Sequence, residues 1–174
     1  MKFPNDTVHC RITSPLGEIV LAASAKGLSG AWFEGQRHQV APQNWPLAPQ
    51  HPVLTRAAAQ LTEYFGGQRR AFDVPLDLSA GTPFQQAVWR ALLTIATGTT
   101  RSYKQVSSEI GQPAAVRAVA GAVGRNPLSI IVPCHRVLGS DGTLTGYAGG
   151  LPRKRALLQL EGATFSTDDQ QGLL

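Results

Sequence analysis

The residues best suited to do chemistry lie together in one hexapeptide, VPCHRV at positions 132–137. A thiol, an imidazole and a guanidinium are adjacent there, after an apolar run that predicts a short buried strand over 130–132. Positive neighbours stabilise a thiolate, and the thiolate is the nucleophilic form of cysteine. An unperturbed thiol, with a pKa of about 8.5, is only a few per cent ionised at neutral pH. We therefore expect Cys134, at the end of a strand, to be a nucleophile whose pKa is lowered by His135 and Arg136.

The second cysteine and the other histidines do not indicate a metal site. Cys10 alternates with Val8 and Ile12, which is the pattern of an inert apolar residue in a strand. No CxxC or HxxxH spacing accompanies Cys134, and neither His9 nor His38 is placed as a sequence-adjacent ligand. The sequence also contains no phosphate-binding loop of the GxxxxGK or GxGxxG type. It predicts neither a metal nor a cofactor.

The net charge of +5 is distributed unevenly along the 174 residues. Residues 1–80 carry seven basic and six acidic side chains, whereas residues 81–160 carry nine basic side chains against Glu109 and Asp141. A basic half beside a neutral half suggests an anionic partner for the second half. A merely solvated basic surface would give the same distribution, and charge alone leaves both interpretations open.

Alternating apolar and polar residues predict a strand over 8–13, and two more short strands follow over 18–23 and 28–33, with a break at Lys26-Gly27. Residues 34–51 are rich in proline and glutamine and predict a loop. Apolar residues at helical spacing then predict a helix over 52–65. The pattern is typical of a small sheet accompanied by one helix.

Helix signals dominate the second half, where four helices are predicted, over 83–95, 103–110, 113–123 and 152–160. Thr82 and Ser102 are the expected N-caps of the first two. The second and third helices resemble a helix-turn-helix whose second helix is presented to DNA, although an αα-hairpin packed in a core gives the same pattern. From Ser166 onward we expect a frayed tail.

Composition excludes several classes of protein. Hydrophobic residues make up 43% of the chain and charged residues 16%, which is not the composition of a disordered protein. The longest apolar stretches are a few residues long, against the roughly 20 that a membrane span needs. The first ten residues, MKFPNDTVHC, contain no apolar segment of a secretory signal. We expect a soluble, cytoplasmic, globular protein with no membrane partner.

Seven sequence blocks resemble those of the O6-alkylguanine-DNA alkyltransferases, the methylated-DNA–protein-cysteine methyltransferases. In order, they are Pro83-Phe84-Gln85, Ser102-Tyr103, Ala115-Val116-Arg117-Ala118-Val119, Asn126-Pro127, Pro133-Cys134-His135-Arg136-Val137, Gly146-Tyr147 and Leu157-Leu158 with Glu161-Gly162. The resemblance runs from about Thr82 to Gly162, and residues 1–80 match only loosely. It implies an α/β fold, with a small N-terminal β-sheet domain with a helix (1–80) and a mainly α C-terminal domain (81–174) that contains the helix-turn-helix.

The resemblance implies direct repair of O6-alkylguanine, and of O4-alkylthymine, in DNA. The alkyl group would pass irreversibly to Cys134, in a single turnover, after the base has been flipped out. His135 would act as the base through a bridging water, and Glu161 would orient it. Tyr103 would donate a proton or a hydrogen bond to the guanine, and Asn126 would fix the turn before the active-site strand. No cofactor is implied.

The implied partner is double-stranded DNA that contains alkylated guanine. Arg117 would enter the duplex from the minor groove and fill the gap left by the extruded base, on a helix whose small residues permit close approach. The predicted DNA-binding residues are Arg117, Ala118, Ala115, Gly121, Lys104, Arg125 and Ser102. The predicted substrate pocket consists of Tyr147, Ala148, Gly149, Val137 and Pro133, where Ala148 replaces a serine of some relatives. We expect a monomer, and leave cooperative binding along DNA open.

Two other classes of function compete with this one. A non-catalytic binder of alkylated DNA would resemble the same domain but lack the cysteine, so Cys134 argues against it. A cysteine hydrolase would turn over repeatedly on an ester or amide and would not need Arg117. The number of alkyl groups accepted per protein molecule distinguishes a hydrolase from a repair protein.

Overall fold

An antiparallel three-stranded sheet forms the N-terminal part of the computed structural model, which describes residues 1–42 and 44–166. Its strands are β1 (Val8–Ser14), β2 (Gly17–Ser24) and β3 (Gly27–Phe33), in that order. The chain passes close to the β2–β3 turn at Pro75. Gly27 has φ +149°, and a Cβ atom there would lie 2.6 Å from the Pro75 carbonyl oxygen, so only glycine fits. All three predicted strands are confirmed.

Both faces of this sheet are covered. The predicted helix, α1 (Pro52–Phe65), packs its buried side on one face and contributes to the main hydrophobic core. On the other face Trp32 contacts Phe3 edge-on, with ring centroids 5.7 Å apart, and stacks on Trp45 at 6.1 Å. A sheet that is buried on both faces has a strongly specified register, because a slip would exchange the two sets of side chains.

Four helices follow in the described part of the chain: α2 (Pro83–Leu92), α3 (Tyr103–Glu109), α4 (Val116–Gly124) and α5 (Leu151–Leu160). Both predicted N-caps are confirmed, since the Thr82 and Ser102 hydroxyls accept from backbone N–H groups at 3.2 and 3.0 Å. α3 and α4 pack against each other and against α2, as a helix-turn-helix does. α4 begins later than predicted, because residues 113–114 form a turn and Ala115 offers no capping side chain.

The strand predicted over 130–132 is wrong. Residues 128–133 form buried turns, and Cys134–Arg136 is a single turn of 3₁₀ helix. Ile130 has φ +74°, a left-handed conformation that a β-branched residue rarely adopts and that breaks an extended path. The strand pairing comes one step later, where β5 (Val137–Leu138) pairs in parallel with β4 (Arg101–Ser102). Cys134 therefore lies at the start of a tight turn and not at the end of a strand.

The free edge of β3 holds the segment before this turn. The Ala31 N–H donates to the Pro127 carbonyl at 2.7 Å, and the Ser129 N–H donates to the Ala31 carbonyl at 2.9 Å. The N-terminal sheet is thereby extended by residues that lead directly to Cys134. The position of the nucleophile depends on both parts of the chain.

Two further observations concern the ends of the chain and its helices. The Ser166 N–H donates to the Gly142 carbonyl at 2.9 Å, and the rest of the tail that was predicted to fray lies outside the described residues. Within residues 1–42 and 44–166, no helix is long and apolar enough to cross a membrane.

Candidate active site

Cys134, His135 and Arg136 are all buried in the 3₁₀ turn, and a buried carboxylate lies beside them. This carboxylate belongs to Glu161, the residue that follows α5. His135 Nε2 lies 2.7 Å from Glu161 Oε1, and the Tyr64 hydroxyl donates to the same oxygen at 2.7 Å. Side chains from three distant parts of the sequence thus meet at one carboxylate.

The protonation states of His135 and Glu161 follow from this contact. Burial alone would raise the pKa of Glu161, but hydrogen bonds and charge from His135 and Arg136 hold it at about 2. Burial lowers the pKa of His135, although Glu161 acts in the opposite direction. The carboxylate is therefore ionised and the imidazole neutral at pH 7, with the ring proton on Nε2. Nδ1 keeps a free lone pair and has no hydrogen-bond partner within the described residues, so it is a buried base able to accept a proton.

Arg136 does not serve the thiol as predicted. Its Nε and Nη2 atoms donate to the two Glu161 oxygens at 2.9 and 2.8 Å, and Nη1 donates to the Ile95 carbonyl at 2.6 Å. Such a bidentate pair fixes a carboxylate in both position and charge. Arg136 therefore acts on Glu161, and through it on the orientation of His135.

The pKa of the Cys134 thiol is raised, which is the opposite of the predicted direction. Burial is the cause, since the residue is 5% exposed and a thiolate loses its hydration there. Hydrogen bonding from the Asn126 side chain and the charge of Lys154 act against this rise without overcoming it. The resting group is a thiol, and it needs a base to become a nucleophile.

Lys154 is the cation that acts on the thiol, and the sequence analysis did not identify it. The residue is fully buried, and its Nζ donates to the carbonyls of Val137 at 2.7 Å and of Gly146 at 2.9 Å. Burial lowers its pKa to about 8, while the charge of Cys134 acts to raise it. One signal was available: Lys154 lies three residues before buried Leu157, on the inner side of α5.

Asn126 closes the segment that leads to the nucleophile. Its Nδ2 donates to the Val132 carbonyl at 2.7 Å, and its Oδ1 accepts from the Leu128 N–H at 2.9 Å. These two bonds join the ends of the buried turns that precede Cys134. The geometry supports the predicted positioning role of Asn126.

A cavity of about 460 Å³ opens beside Cys134, which is a suitable size for a small-molecule pocket. The other lining residues are Tyr103, Ala120, Val123, Gly124, Thr145, Gly146, Tyr147, Ala148, Arg37 and His38. Burial raises the pKa of Tyr103, so its phenol stays protonated at neutral pH and can donate a hydrogen bond into the cavity. Sequence analysis did not anticipate Arg37 and His38, which reach the cavity from the loop after β3.

Two of the five residues predicted to form the pocket, Tyr147 and Ala148, line this cavity. Pro133 instead lines a separate cavity of about 350 Å³. Val137 is fully buried in β5 and is not a lining residue. Gly149 does not line the cavity either, because it is packed against the sheet. A Cβ atom at Gly149 would lie 3.2 Å from the Phe33 ring.

The predicted DNA-binding residues lie mostly on exposed positions of the helix-turn-helix. Arg117, Ala118 and Gly121 are exposed on α4, and Arg125 is exposed directly after it. A Cβ atom on Gly121 would meet no atom within 4 Å, so a partner can approach the helix closely there. Lys104 is exposed in the first turn of α3, and Ala115 is half-buried before α4. The Ser102 hydroxyl serves as the N-cap of α3.

A metal has no evident place in the described part of the chain. No three His, Cys, Asp or Glu side chains there are grouped so that they could hold an ion. The reactive groups around the cavity are a thiol, an imidazole and a phenol.

Comparisons with known proteins give matches over most of the chain. Residues 9–78 match the family model for the ribonuclease-like domain of 6-O-methylguanine DNA methyltransferase, and residues 83–163 match the model for its DNA-binding domain. The methylated-DNA–protein-cysteine methyltransferase of Mycobacterium bovis is 48% identical over 162 residues, which is 92% of this chain and 96% of that protein. The enzyme of the same name from Methanosarcina barkeri is 48% identical over 151 residues, 86% of this chain and 94% of that protein. Among solved structures, Mycobacterium tuberculosis OGT in complex with DNA matches with a TM-score of 0.81 and 48% identity, covering 88% of this chain and 92% of that one.

Proposed function

Because the chain belongs to the 6-O-methylguanine DNA methyltransferase family, and repairs DNA by transferring an alkyl group to a cysteine, we propose that Cys134 is the acceptor. One observation carries this assignment: Cys134 lines the cavity and begins the buried 3₁₀ turn that also carries His135, which is paired with Glu161. The other cysteine, Cys10, is buried in β1 and does not line the cavity.

The reaction is a displacement at the alkyl carbon. The thiol proton passes to His135 Nδ1 through a bridging water, the sulfur forms a bond to the alkyl carbon, and the bond from that carbon to O6 breaks. The electron pair of the broken bond stays with the guanine, which takes up one proton in place of the one that the thiol gave to His135, so the imidazole returns to its neutral form and the guanine remains in the DNA as the ordinary base. The product on Cys134 is a thioether, which water does not hydrolyse, so the protein reacts once.

Burial of the nucleophile favours this displacement even though it raises the thiol pKa. A buried thiolate is poorly solvated and is converted into a neutral thioether, so negative charge leaves the sulfur as the reaction proceeds. The same charge develops on the guanine. The phenol of Tyr103 faces the cavity and can donate a hydrogen bond to the departing base.

The loop before α5 supplies a second kind of donor. Ala148 has no hydroxyl, so backbone N–H groups are the donors this loop offers to O6. The Arg37 N–H donates to the Ala148 carbonyl at 2.9 Å. This bond ties the loop to the segment that follows β3. Small residues in the loop also leave room for alkyl groups larger than methyl.

DNA binding and base extrusion are proposed for the exposed face of α4. A base stacked in a duplex cannot bring its O6 substituent to a buried thiol, so it must be extruded, at a cost of a few kcal/mol. Arg117, exposed on α4, would fill the gap that the base leaves. Lys104 and Arg125 would contact phosphates and position the protein without reading sequence.

The proposal also covers the range of substrates, the oligomeric state, the location in the cell and the division into domains. We assign as substrate duplex DNA with O6-alkylguanine, and with O4-alkylthymine, bound by a monomer in the cytoplasm or on the nucleoid. A binding isotherm on long DNA separates independent from cooperative binding. Residues 1–80 and 81–174 would be two domains, of which the first supports the nucleophile segment through β3 and the second binds DNA.

The direct test is intact-mass and peptide-mass measurement after incubation with a duplex that carries one O6-methylguanine. We expect a gain of one methylene unit per protein, located on the peptide that contains Cys134. The Cys134→Ser protein should gain no mass and should still bind the duplex. The Cys10→Ser protein should gain the same mass as the parent protein. Methylation of Cys10, or equal methylation of both cysteines, would overturn the assignment.

A further inference from the structure

Three donors bind carbonyl groups of the loop 145–150, and one of them has no part in the chemistry proposed above. Lys154 donates to the Gly146 carbonyl at 2.9 Å, and the Arg37 N–H donates to the Ala148 carbonyl at 2.9 Å. Arg153 Nη1 donates to the Gly149 carbonyl at 3.1 Å. Arg153 is not among the residues that line the cavity.

The Arg153 side chain also binds the N-terminal sheet. Its Nε donates to the Leu16 carbonyl at 2.9 Å, in the turn between β1 and β2, and its guanidinium lies 4.6 Å from the centre of the Phe33 ring. Gly17 has φ +114°, and a Cβ atom there would come within 3.1 Å of Arg153 Nη2. The turn therefore needs glycine both for its backbone conformation and to make room for the guanidinium.

The chemistry of these contacts explains why an arginine occupies the position. Within residues 1–42 and 44–166, Arg153 has no carboxylate at ion-pair distance, and its acceptors are two carbonyls that are 133 residues apart in sequence. A planar guanidinium offers donors that diverge in one plane, and a flat face that stacks on an aromatic ring. Lysine could reach one of these groups but could not bridge both carbonyls while covering the ring.

The loop itself is packed tightly against the same ring. A Cβ atom on Gly149 would lie 3.2 Å from the Phe33 ring and 2.9 Å from the ring of Tyr147, which lines the cavity. A small movement of the loop away from the sheet would therefore displace a wall of the cavity.

We propose that Arg153 is a positioning residue that fixes the loop 145–150 against the N-terminal sheet and so sets which alkyl groups fit beside Cys134. The inference rests on the proposed function of the cavity. It gives the N-terminal region a role in substrate selection, although that region supplies none of the reacting groups.

The test compares Arg153→Met and Arg153→Lys with a matched control, Arg69→Met. Arg69 also bridges two groups, Glu63 at 2.8 Å and the Ala71 carbonyl at 2.9 Å, but does not line the cavity. Single-turnover rates are measured on one duplex sequence that carries either O6-methylguanine or O6-benzylguanine. Duplex affinity is measured with the same substitutions made in the Cys134→Ser protein, and hydrogen exchange is followed on residues 145–150.

For Arg153→Met we expect methyl transfer to slow by about tenfold to a hundredfold, because a displacement of about 1 Å can cost a reacting geometry about a hundredfold in rate. Benzyl transfer should slow less, because a displaced wall still admits the larger group, so the benzyl-to-methyl rate ratio rises. Protection of residues 145–150 should fall and duplex affinity should stay within about twofold. Arg153→Lys should restore little of the methyl rate, and Arg69→Met should leave the ratio unchanged.

An unchanged or lower benzyl-to-methyl ratio would overturn the proposal, as would a loss of duplex affinity equal to the loss of rate. Equal slowing of both substrates in step with a lower folded fraction would show that Arg153 only stabilises the fold. The proposed function is tested separately by the parent protein in the same experiment. If the parent protein is not methylated on Cys134, the proposed function fails, whatever the Arg153 variants do.

Discussion

Replacing Glu161 by glutamine should destabilise the protein by an amount that depends on pH in a defined way. The pKa of this carboxyl is held at about 2, from an ordinary 4.5. Each unit of pKa difference is worth about 1.4 kcal/mol, so the charge of Glu161 contributes on the order of 3 kcal/mol above pH 4.5. The group is 5% exposed, and its loss leaves the Arg136 guanidinium buried without a counter-charge, for which a cost of about 3–5 kcal/mol is typical.

The sign of the pH dependence follows from the depressed pKa. The stabilisation is fully present above the unfolded-state value near 4.5 and is lost as pH falls towards 2. Urea unfolding of the parent protein and Glu161→Gln should differ by about 3 kcal/mol at pH 7, and the difference should shrink by about 1.4 kcal/mol per pH unit below 4.5. Alkyl transfer should slow as well, since the amide can present either an oxygen or an NH₂ group to His135.

Glu63→Gln is the matched control, because Glu63 pairs with Arg69 at 2.8 Å on the surface, where its side chain is 43% exposed. A surface pair of this kind is worth at most about 1 kcal/mol. The reasoning fails if Glu161→Gln costs no more than this control, or if its cost stays constant from pH 7 to pH 3.

Four further predictions concern base extrusion, DNA binding, the thiol and the spent protein. Arg117→Ala should slow repair of a duplex far more than reaction with free O6-benzylguanine, which needs no extrusion, whereas equal slowing would give Arg117 another role. Arg125→Ala should weaken binding to any duplex and reduce the salt slope of log Kd by about 1, while Lys26→Ala, on the far β2–β3 turn, should not. Lys154→Met should raise the pKa of the Cys134 thiol, so that its rate of iodoacetamide modification rises only at higher pH; an unchanged pH profile would contradict this assignment. Alkylated protein should melt below the free form, and more so for benzyl than for methyl, because overpacking of a dense interior costs about 1–3 kcal/mol; identical melting curves would refute it.

Local chemistry made much of this fold predictable from sequence. The N-caps at Thr82 and Ser102 use side-chain hydroxyls that act within three residues, and β1 to β3 are short apolar or alternating runs separated by turn residues, so both signals are complete within a short window. The hexapeptide at 132–137 likewise presents its reactive groups side by side. The tertiary contacts of these segments agree with the structure that the local sequence predicts.

The errors share one cause, which is that burial and partners come from distant segments. An apolar run at 130–132 predicts burial correctly, but periodicity alone does not separate a strand from a buried turn, and the left-handed Ile130 makes it a turn. Sequence adjacency suggested that Arg136 serves Cys134, yet a carboxylate 25 residues away binds Arg136. The cation whose charge lowers the pKa of the Cys134 thiol is Lys154, which lies 20 residues further along the chain. Arg37 and His38 reach the cavity from a loop that had no distinctive pattern.

The most direct test of the account is the stoichiometry of transfer when substrate is in excess. Purified protein is incubated with increasing amounts of duplex carrying radiolabelled O6-methylguanine, and the label bound to protein is followed until it stops rising. We expect a plateau at one methyl per protein, all of it on Cys134, with no further repair however long the incubation lasts. Continued loss of methyl from the DNA beyond that plateau, or release of label from the protein into solution, would mean repeated turnover and would contradict it.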